Sequence, residues 1–283
     1  IEEKDGKIVC TVKQLRGASV RLPFPSVGAT ENIMMAAAMA EGVTVIRNAA
    51  REPEIIELQD FLNAMGAEIS GAGTSVIIIS GKKQLHGAEW TVMSDRIEAG
   101  TLILAAAVTG GEIFVKNAPS ASMESFLQCI RRSGVKIDIQ PDGIGVSAPP
   151  RLSASGKIET EPYPGFPTDL QSQFLAAMTA ASGVSMIEEN IFENRFKVLK
   201  PLRLMGADIT LSENRACVNG VEKLHGARVK AEELRGGAAL VIAGLAAEGD
   251  TVIENVCLID RGYDKLEMTL RDLGADIARV KEV

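Results

Sequence analysis

Three arginines and one aspartate stand out by their settings. Arg195 lies in FENRF, Arg235 in EELRGG and Arg261 in DRGY, each beside a glycine or asparagine turn. A guanidinium is a planar fork that can grip two oxygens of a phosphate or carboxylate at once. Asp169 follows Pro167 and Thr168 in PTDLQSQF, at a helix start. A carboxylate there favours the helix dipole, worth roughly 0.3–1 kcal/mol. Taken singly, each arginine reads as a solvated surface cation and Asp169 as a helix-end charge. Ser26, Val27 and Gly28 in FPSVGAT precede a small-residue helix. Backbone N–H groups at such a start form a ready anion site. Glu52 and Glu54 in REPEI cap and solvate a helix start and receive no further assignment.

Other chemistries find no residues. His86 and His225 both sit in an L-H-G-A turn, at matching places of two similar segments. A residue placed by a repeat reads as structural, so no histidine acid–base step is assigned. Cys10, Cys129, Cys217 and Cys257 stand far apart, with no C-x-x-C and no histidine at metal-ligand spacing. They read as reduced, mostly buried thiols.

The elements that must position these side chains repeat along the chain. FLNAMGAEIS, CIRRSGVKID, PLRLMGADIT and TLRDLGADIA each read as a helix end, a glycine stop and a strand start. Their glycines, Gly66, Gly134, Gly206 and Gly274, are 68, 72 and 68 residues apart. Each is preceded, 23 to 25 residues earlier, by a glycine-led β-branched strand: GVTVIRNAA, GEIFVKNAP, GVSMIEENI and GDTVIENVC. Before each strand runs a small-residue helix that is apolar nearly all round and is therefore expected to be buried. After the glycine-stop strand comes another strand, TSVIIIS at 74–80 or NRACVNG at 214–220, and then an L-H-G-A turn. One unit of about 70 residues thus holds two helices and four strands, with a parallel strand–helix–strand connection inside it. KQLRGA near the start matches KKQLHGA and KLHGAR further on, so the chain reads as beginning within a unit.

The chain has 283 residues, 46% hydrophobic and only 4% aromatic. Its core must rest on close packing of small residues. With 30 Lys+Arg against 37 Asp+Glu the formal charge is −7, which excludes a nucleic-acid partner held by its phosphates. No apolar run reaches the ~18–20 residues of a bilayer span, and no signal peptide is visible.

FPSVGATENIMMAAAMAEG, NAAREPEI, PTDLQSQF, IFENRF and DRGYDKLE occur in this order. In these motifs, and over essentially its whole length, the chain resembles the UDP-N-acetylglucosamine enolpyruvyl transferases (1-carboxyvinyltransferases). The resemblance implies an α/β fold of inside-out barrel type, built from repeated βαβαββ units with helices inside and sheets outside. It implies two domains, here 1–93, incomplete, and 94–283, with its last unit incomplete. Six units of about 70 residues would make roughly 420, so about 140 residues are expected to precede Ile1. That segment carries the family's Lys-Asn pair, two further arginines and the reactive-cysteine loop, a role that none of the four cysteines here takes. The chain alone is therefore expected to be inactive.

The resemblance also implies a reaction and a site. The enolpyruvyl group of phosphoenolpyruvate passes to the sugar 3-hydroxyl of UDP-N-acetylglucosamine and phosphate leaves. Asp169 would meet that hydroxyl as general base or relay, since an alcohol must lose its proton as it attacks. Arg235 and Arg261 would face phosphoenolpyruvate, Ile191 and Arg195 the sugar nucleotide, and Ser26, Val27 and Gly28 the diphosphate. Two departures stand out: Phe24 where a lysine is frequent, and Glu233 where a shorter aspartate is frequent. The resemblance implies no metal or organic cofactor, no membrane, and a place in the bacterial cytoplasm at the first committed step of peptidoglycan synthesis. Two other readings stay open. One is the same fold with the shikimate-pathway acceptor; the other is a non-catalytic UDP-sugar-binding fragment.

Overall fold

A computed structural model describes residues 1–280; positions 281–283, the end of the second domain read from the sequence, lie outside them. The described chain divides into two compact units, Ile1–Met93 and one from Ser94 onward.

The first unit opens with a hairpin of Glu2–Lys4 and Lys7–Val9. Its turn residues Asp5 and Gly6 both take positive φ, the backbone a tight hairpin needs. A four-stranded sheet follows, in the order Ser19–Arg21, Val43–Arg47, Val76–Ser80, Glu68–Ser70. The first pair is parallel and the others antiparallel. Helix α1 (Val27–Ala37) bridges the parallel pair and α2 (Pro53–Ala64) leads to Glu68. Alternate strand residues Ile46, Ile77 and Ile79 turn inward with Met34, Ile55 and Leu62 to make this unit's core.

The second unit starts with α3 (Arg96–Val108), the strand Glu112–Lys116 and α4 (Glu124–Arg132). Gly143–Ser147 lies between Glu112–Lys116 and Lys136–Gln140 in a three-stranded antiparallel sheet. Lys157–Glu159, α5 (Gln171–Thr179), Val184–Glu188, α6 (Leu199–Leu204), Asp208–Ser212 and Arg215–Asn219 come next. Their four-stranded sheet repeats the order and directions of the first unit's sheet. Then α7 (Leu234–Ala246) joins the parallel strands Arg228–Lys230 and Val252–Glu254, and α8 (Leu266–Asp272) follows. Among the described residues the sheets have two to four strands.

Burial follows composition in α3, α5 and α7. These helices pack on one another in the middle of the second unit's core, and all nine residues of α5 are buried. Alanine and glycine let the backbones approach closely, so no broad polar face remains. The expectation of burial all round fails for α1. Only Thr30, Met34 and Ala37 are buried there, while Met35 and Met39 are 49% and 57% exposed. Within its unit α1 packs against α2 and one face of the sheet, which covers a single stripe of the helix. The helix-stop glycines Gly66, Gly134, Gly206 and Gly274 all have φ between 90 and 100°, a region costly to any residue with a Cβ. No helix of the described chain is long and apolar enough to cross a membrane.

Candidate active site

Asp169 is set by a short 3-10 turn, Thr168–Leu170, which runs straight into α5. Leu170 is buried and anchors that turn against α3. A Cβ at Gly100 would fall 2.6 Å from Leu170 Cδ1, so only glycine at this place lets α3 come so near. Arg235 lies in the first turn of α7, whose start is capped by Glu233. The Glu233 carboxylate accepts from the backbone N–H groups of Arg235 (2.9 Å) and Gly236. The longer side chain therefore still performs the cap that an aspartate would supply. Arg195 opens the 3-10 turn Arg195–Val198, just past the strand Val184–Glu188.

These three segments bring Asp169, Arg195 and Arg235 together. Arg195 Nη2 lies 2.9 Å from Asp169 Oδ1, and Arg235 Nη2 lies 3.4 Å from Oδ2. Arg195 is only 6% exposed. Its Nη1 is 3.5 Å from Glu233 Oε2, its Nε donates to Thr168 Oγ1 at 3.3 Å, and its guanidinium lies 4.4 Å from the centre of the Phe192 ring. Arg235 lies over the Tyr263 ring at 5.7 Å and donates to the Tyr263 hydroxyl at 3.5 Å. That hydroxyl also accepts from Gln173 Nε2 at 3.0 Å. Thr101 gives its own proton to the Ile97 carbonyl, so Tyr263 donates to Thr101 Oγ1 across 2.9 Å. Gln173 Nε2 in addition donates to the Asp169 carbonyl at 2.8 Å. A polar chain buried among α3, α5 and the segment before α8 thus supports the arginine–carboxylate group from below.

Charge pairing decides the protonation of the group. Burial would push the Asp169 carboxyl up, but the Arg235 guanidinium, and then Arg195, outweigh it and hold it below the usual carboxylate range. Burial likewise works against the Arg235 cation, and the facing Asp169 carboxylate more than offsets it, so Arg235 titrates above its ordinary value. Asp169 is thus an ionised carboxylate that two forks share. A competing anion that draws on those forks leaves Asp169 less neutralised and more basic.

The remaining sequence-derived residues are placed as follows. Arg261 is exposed and makes no ion pair or side-chain hydrogen bond among the described residues. It precedes Gly262, whose added Cβ would lie 3.4 Å from Arg235 Nη1, so its turn packs directly on that arginine. Ile191 is half-buried and donates its backbone N–H to Glu189 at 2.9 Å. Ser26, Val27 and Gly28 belong to the first unit. Ser26 caps α1 by accepting from Ala29 N at 3.3 Å, while Val27 and Gly28 form its first turn. Phe24 is 42% exposed beside them. His225 accompanies the helix-stop glycine, its Cδ2 lying 3.3 Å from where a Cβ of Gly206 would stand. The residues that sequence reasoning missed are Thr101, Thr168, Gln173, Glu189 and Tyr263. Tyr263 and Thr168 lie inside motifs already singled out, whereas Thr101 meets Tyr263 across 162 positions with no local signal.

The family model for EPSP synthase (3-phosphoshikimate 1-carboxyvinyltransferase) matches residues 1–270. UDP-N-acetylglucosamine 1-carboxyvinyltransferase 2 of Caldanaerobacter subterraneus subsp. tengcongensis is 51% identical over 280 residues, 99% of this chain and 67% of that protein. UDP-N-acetylglucosamine 1-carboxyvinyltransferase 1 of Carboxydothermus hydrogenoformans is 50% identical over 280 residues, covering 99% of this chain and 66% of its own length. The chain therefore spans about two thirds of these relatives. Among solved structures, the enolpyruvyl transferase NikO from Streptomyces tendae aligns with a TM-score of 0.87 at 24% identity, over 96% of this chain and 67% of that one. EPSP synthase from Acinetobacter baumannii gives 0.68 at 18% identity, over 92% and 62%. Both likenesses are likenesses of fold.

Proposed function

The chain belongs to the EPSP synthase family and, within it, to the UDP-N-acetylglucosamine 1-carboxyvinyltransferases, and from that premise we propose that it serves enolpyruvyl transfer from phosphoenolpyruvate to UDP-N-acetylglucosamine. The observation that carries the reading is the Asp169 carboxylate shared between the Arg195 and Arg235 guanidiniums. Arg235 and Arg261 take the phosphate and carboxylate of phosphoenolpyruvate. Arg195 and the backbone at Ile191 face the sugar nucleotide, and the α1 start at Ser26, Val27 and Gly28 takes its diphosphate.

The sugar 3-hydroxyl adds to C2 of phosphoenolpyruvate while Asp169 accepts the hydroxyl proton and C3 takes up a proton, giving a tetrahedral adduct with a methyl group at C3. Loss of phosphate from C2 and of a proton from C3 then leaves the enol ether. Sharing two arginines keeps Asp169 a weak base while the site is empty. Anion binding that draws on Arg235 raises its basicity when the hydroxyl is present. Activity is proposed for the whole enzyme, since the chain spans only about two thirds of the relatives' length; the remaining third supplies the rest of the site. On the same reading the second unit is a helices-inside, sheets-outside barrel of repeated units, and the enzyme works in the bacterial cytoplasm for cell-wall synthesis.

Phosphate release from phosphoenolpyruvate tests the assignment, measured in the whole enzyme with UDP-N-acetylglucosamine or with shikimate 3-phosphate. Release that needs the sugar nucleotide supports it. Release driven by shikimate 3-phosphate, or by neither, overturns it.

A further inference from the structure

Glu189 is a buried carboxylate, 5% exposed, outside the group described above. Its Oε1 accepts three hydrogen bonds, from Thr160 Oγ1 at 2.8 Å and from the backbone N–H groups of Ile191 and Phe192, each at 2.9 Å. Its Oε2 accepts a fourth, from Thr168 Oγ1 at 3.0 Å. Two of these partners lead to the same place. Phe192 supplies the ring against which the Arg195 guanidinium lies. Thr168 supplies the oxygen that accepts from Arg195 Nε. Both neutral supports of Arg195 therefore depend on one carboxylate.

The hydroxyl of Thr168 has a single proton. With that proton given to Glu189, its lone pairs are free to face Arg195. Glu189 thus fixes the direction of the hydroxyl as well as its position. We propose that Glu189 is a positioning residue, which through Thr168 and Phe192 aims the Arg195 guanidinium at Asp169 and at the ligand these two receive. The identity of that ligand rests on the enolpyruvyl-transfer reading; the aiming of Arg195 does not.

Polarity makes the inference testable by a near-isosteric change. In Glu189→Gln the amide oxygen takes the side with three donors, so the amide NH2 faces Thr168. The Thr168 hydroxyl must then accept from that NH2, and its released proton is no longer held away from Arg195 Nε. The Arg195–Thr168 hydrogen bond loses its fixed direction and is weakened, while the shape of the side chain is kept. Thr168→Val removes the same link without touching Glu189, and Thr168→Ser retains it.

The experiment follows the Asp169 carboxyl by carbon-detected NMR titration in the unliganded chain, and UDP-N-acetylglucosamine affinity by calorimetry. In Glu189→Gln and Thr168→Val the Asp169 midpoint is expected to move upward, because Arg195 no longer pairs with it steadily. Affinity is expected to fall about tenfold, the equivalent of one charge-assisted hydrogen bond. Thr168→Ser should match the parent chain in both. A folded Glu189→Gln chain with unchanged Asp169 midpoint and unchanged affinity overturns the inference, even if its melting temperature falls. Should Glu189→Gln fail to fold, Thr168→Val decides on the same criteria. Should the parent chain bind no sugar nucleotide, the functional reading fails, and the Asp169 titration alone decides the role of Glu189.

Discussion

Asp169 sets the terms at the residue scale. Its carboxyl is held below the usual range by Arg235 and Arg195, so its pairing stabilises the fold above the ordinary carboxylate pKa and is lost as pH falls through the lowered folded value. Denaturant unfolding of the parent and Asp169→Asn chains should therefore differ at pH 7, and the difference should shrink steadily on acidification below about pH 4. A difference that grows in acid would contradict the sign of this coupling. Arg261 makes the opposite prediction. It is exposed and, among the described residues, makes no ion pair, so Arg261→Lys should change stability by less than about 0.5 kcal/mol. The same change should remove most phosphate release in the whole enzyme, because a point charge cannot replace a fork on a carboxylate or phosphate. Near-normal turnover would remove Arg261 from the site. Asp169, Arg195 and Arg235 were legible only through the family resemblance that PTDLQ, FENRF and ELRGG carry, since singly they read as a helix-end charge and solvated surface cations. Glu189 was not legible. It stands next to Glu188, which is also buried but is paired with Lys157 and Arg215, and sequence alone does not say which of the two carboxylates reaches Thr168.

At the scale of elements, the site depends on helix starts and on glycines that admit close approach. Glu233 caps α7 by accepting from the backbone N–H groups of Arg235 and Gly236. Glu233→Ala should cost about 1 kcal/mol in thermal or denaturant unfolding, whereas Glu233→Asp should keep most of the cap. Gly220 is more demanding. A Cβ there would stand 1.7 Å from the Ala181 carbonyl oxygen, so the backbone beyond α5 must shift. Gly220→Ala should destabilise by about 3 kcal/mol, and an unchanged unfolding midpoint would contradict the packing. At the equivalent Gly81 an added Cβ would stand 1.6 Å from the Ala40 carbonyl oxygen. The helix-stop glycines and the β-branched strands made the order of elements readable from spacing alone. The exposure of α1 was not readable, because its composition matches that of α3 and only its neighbours differ. Leu224–His225, read as a turn, instead pairs in parallel with Ala247–Glu248, a contact between residues more than twenty positions apart that no local propensity encodes.

On the scale of the whole molecule, two separate hydrophobic clusters account for the two units, one drawn from residues 22–79 and the other from residues 97–270. Phe126 is fully buried in the second. Phe126→Ala should cost about 3–5 kcal/mol there, which hydrogen exchange would register in the Gly143–Ser147 amides and not in those of Val76–Ser80. A chain of net charge −7 holds anionic ligands only where cations are gathered locally, and Arg195 and Arg235 on Asp169 are such a gathering. The most direct measurement is therefore a calorimetric titration of the chain with UDP-N-acetylglucosamine, in the parent and in Arg195→Lys, with shikimate 3-phosphate as the competing acceptor. The account predicts saturable binding of the sugar nucleotide, weakened about tenfold in Arg195→Lys, and no binding of shikimate 3-phosphate. Binding of shikimate 3-phosphate in its place, or sugar-nucleotide binding indifferent to Arg195, would contradict it.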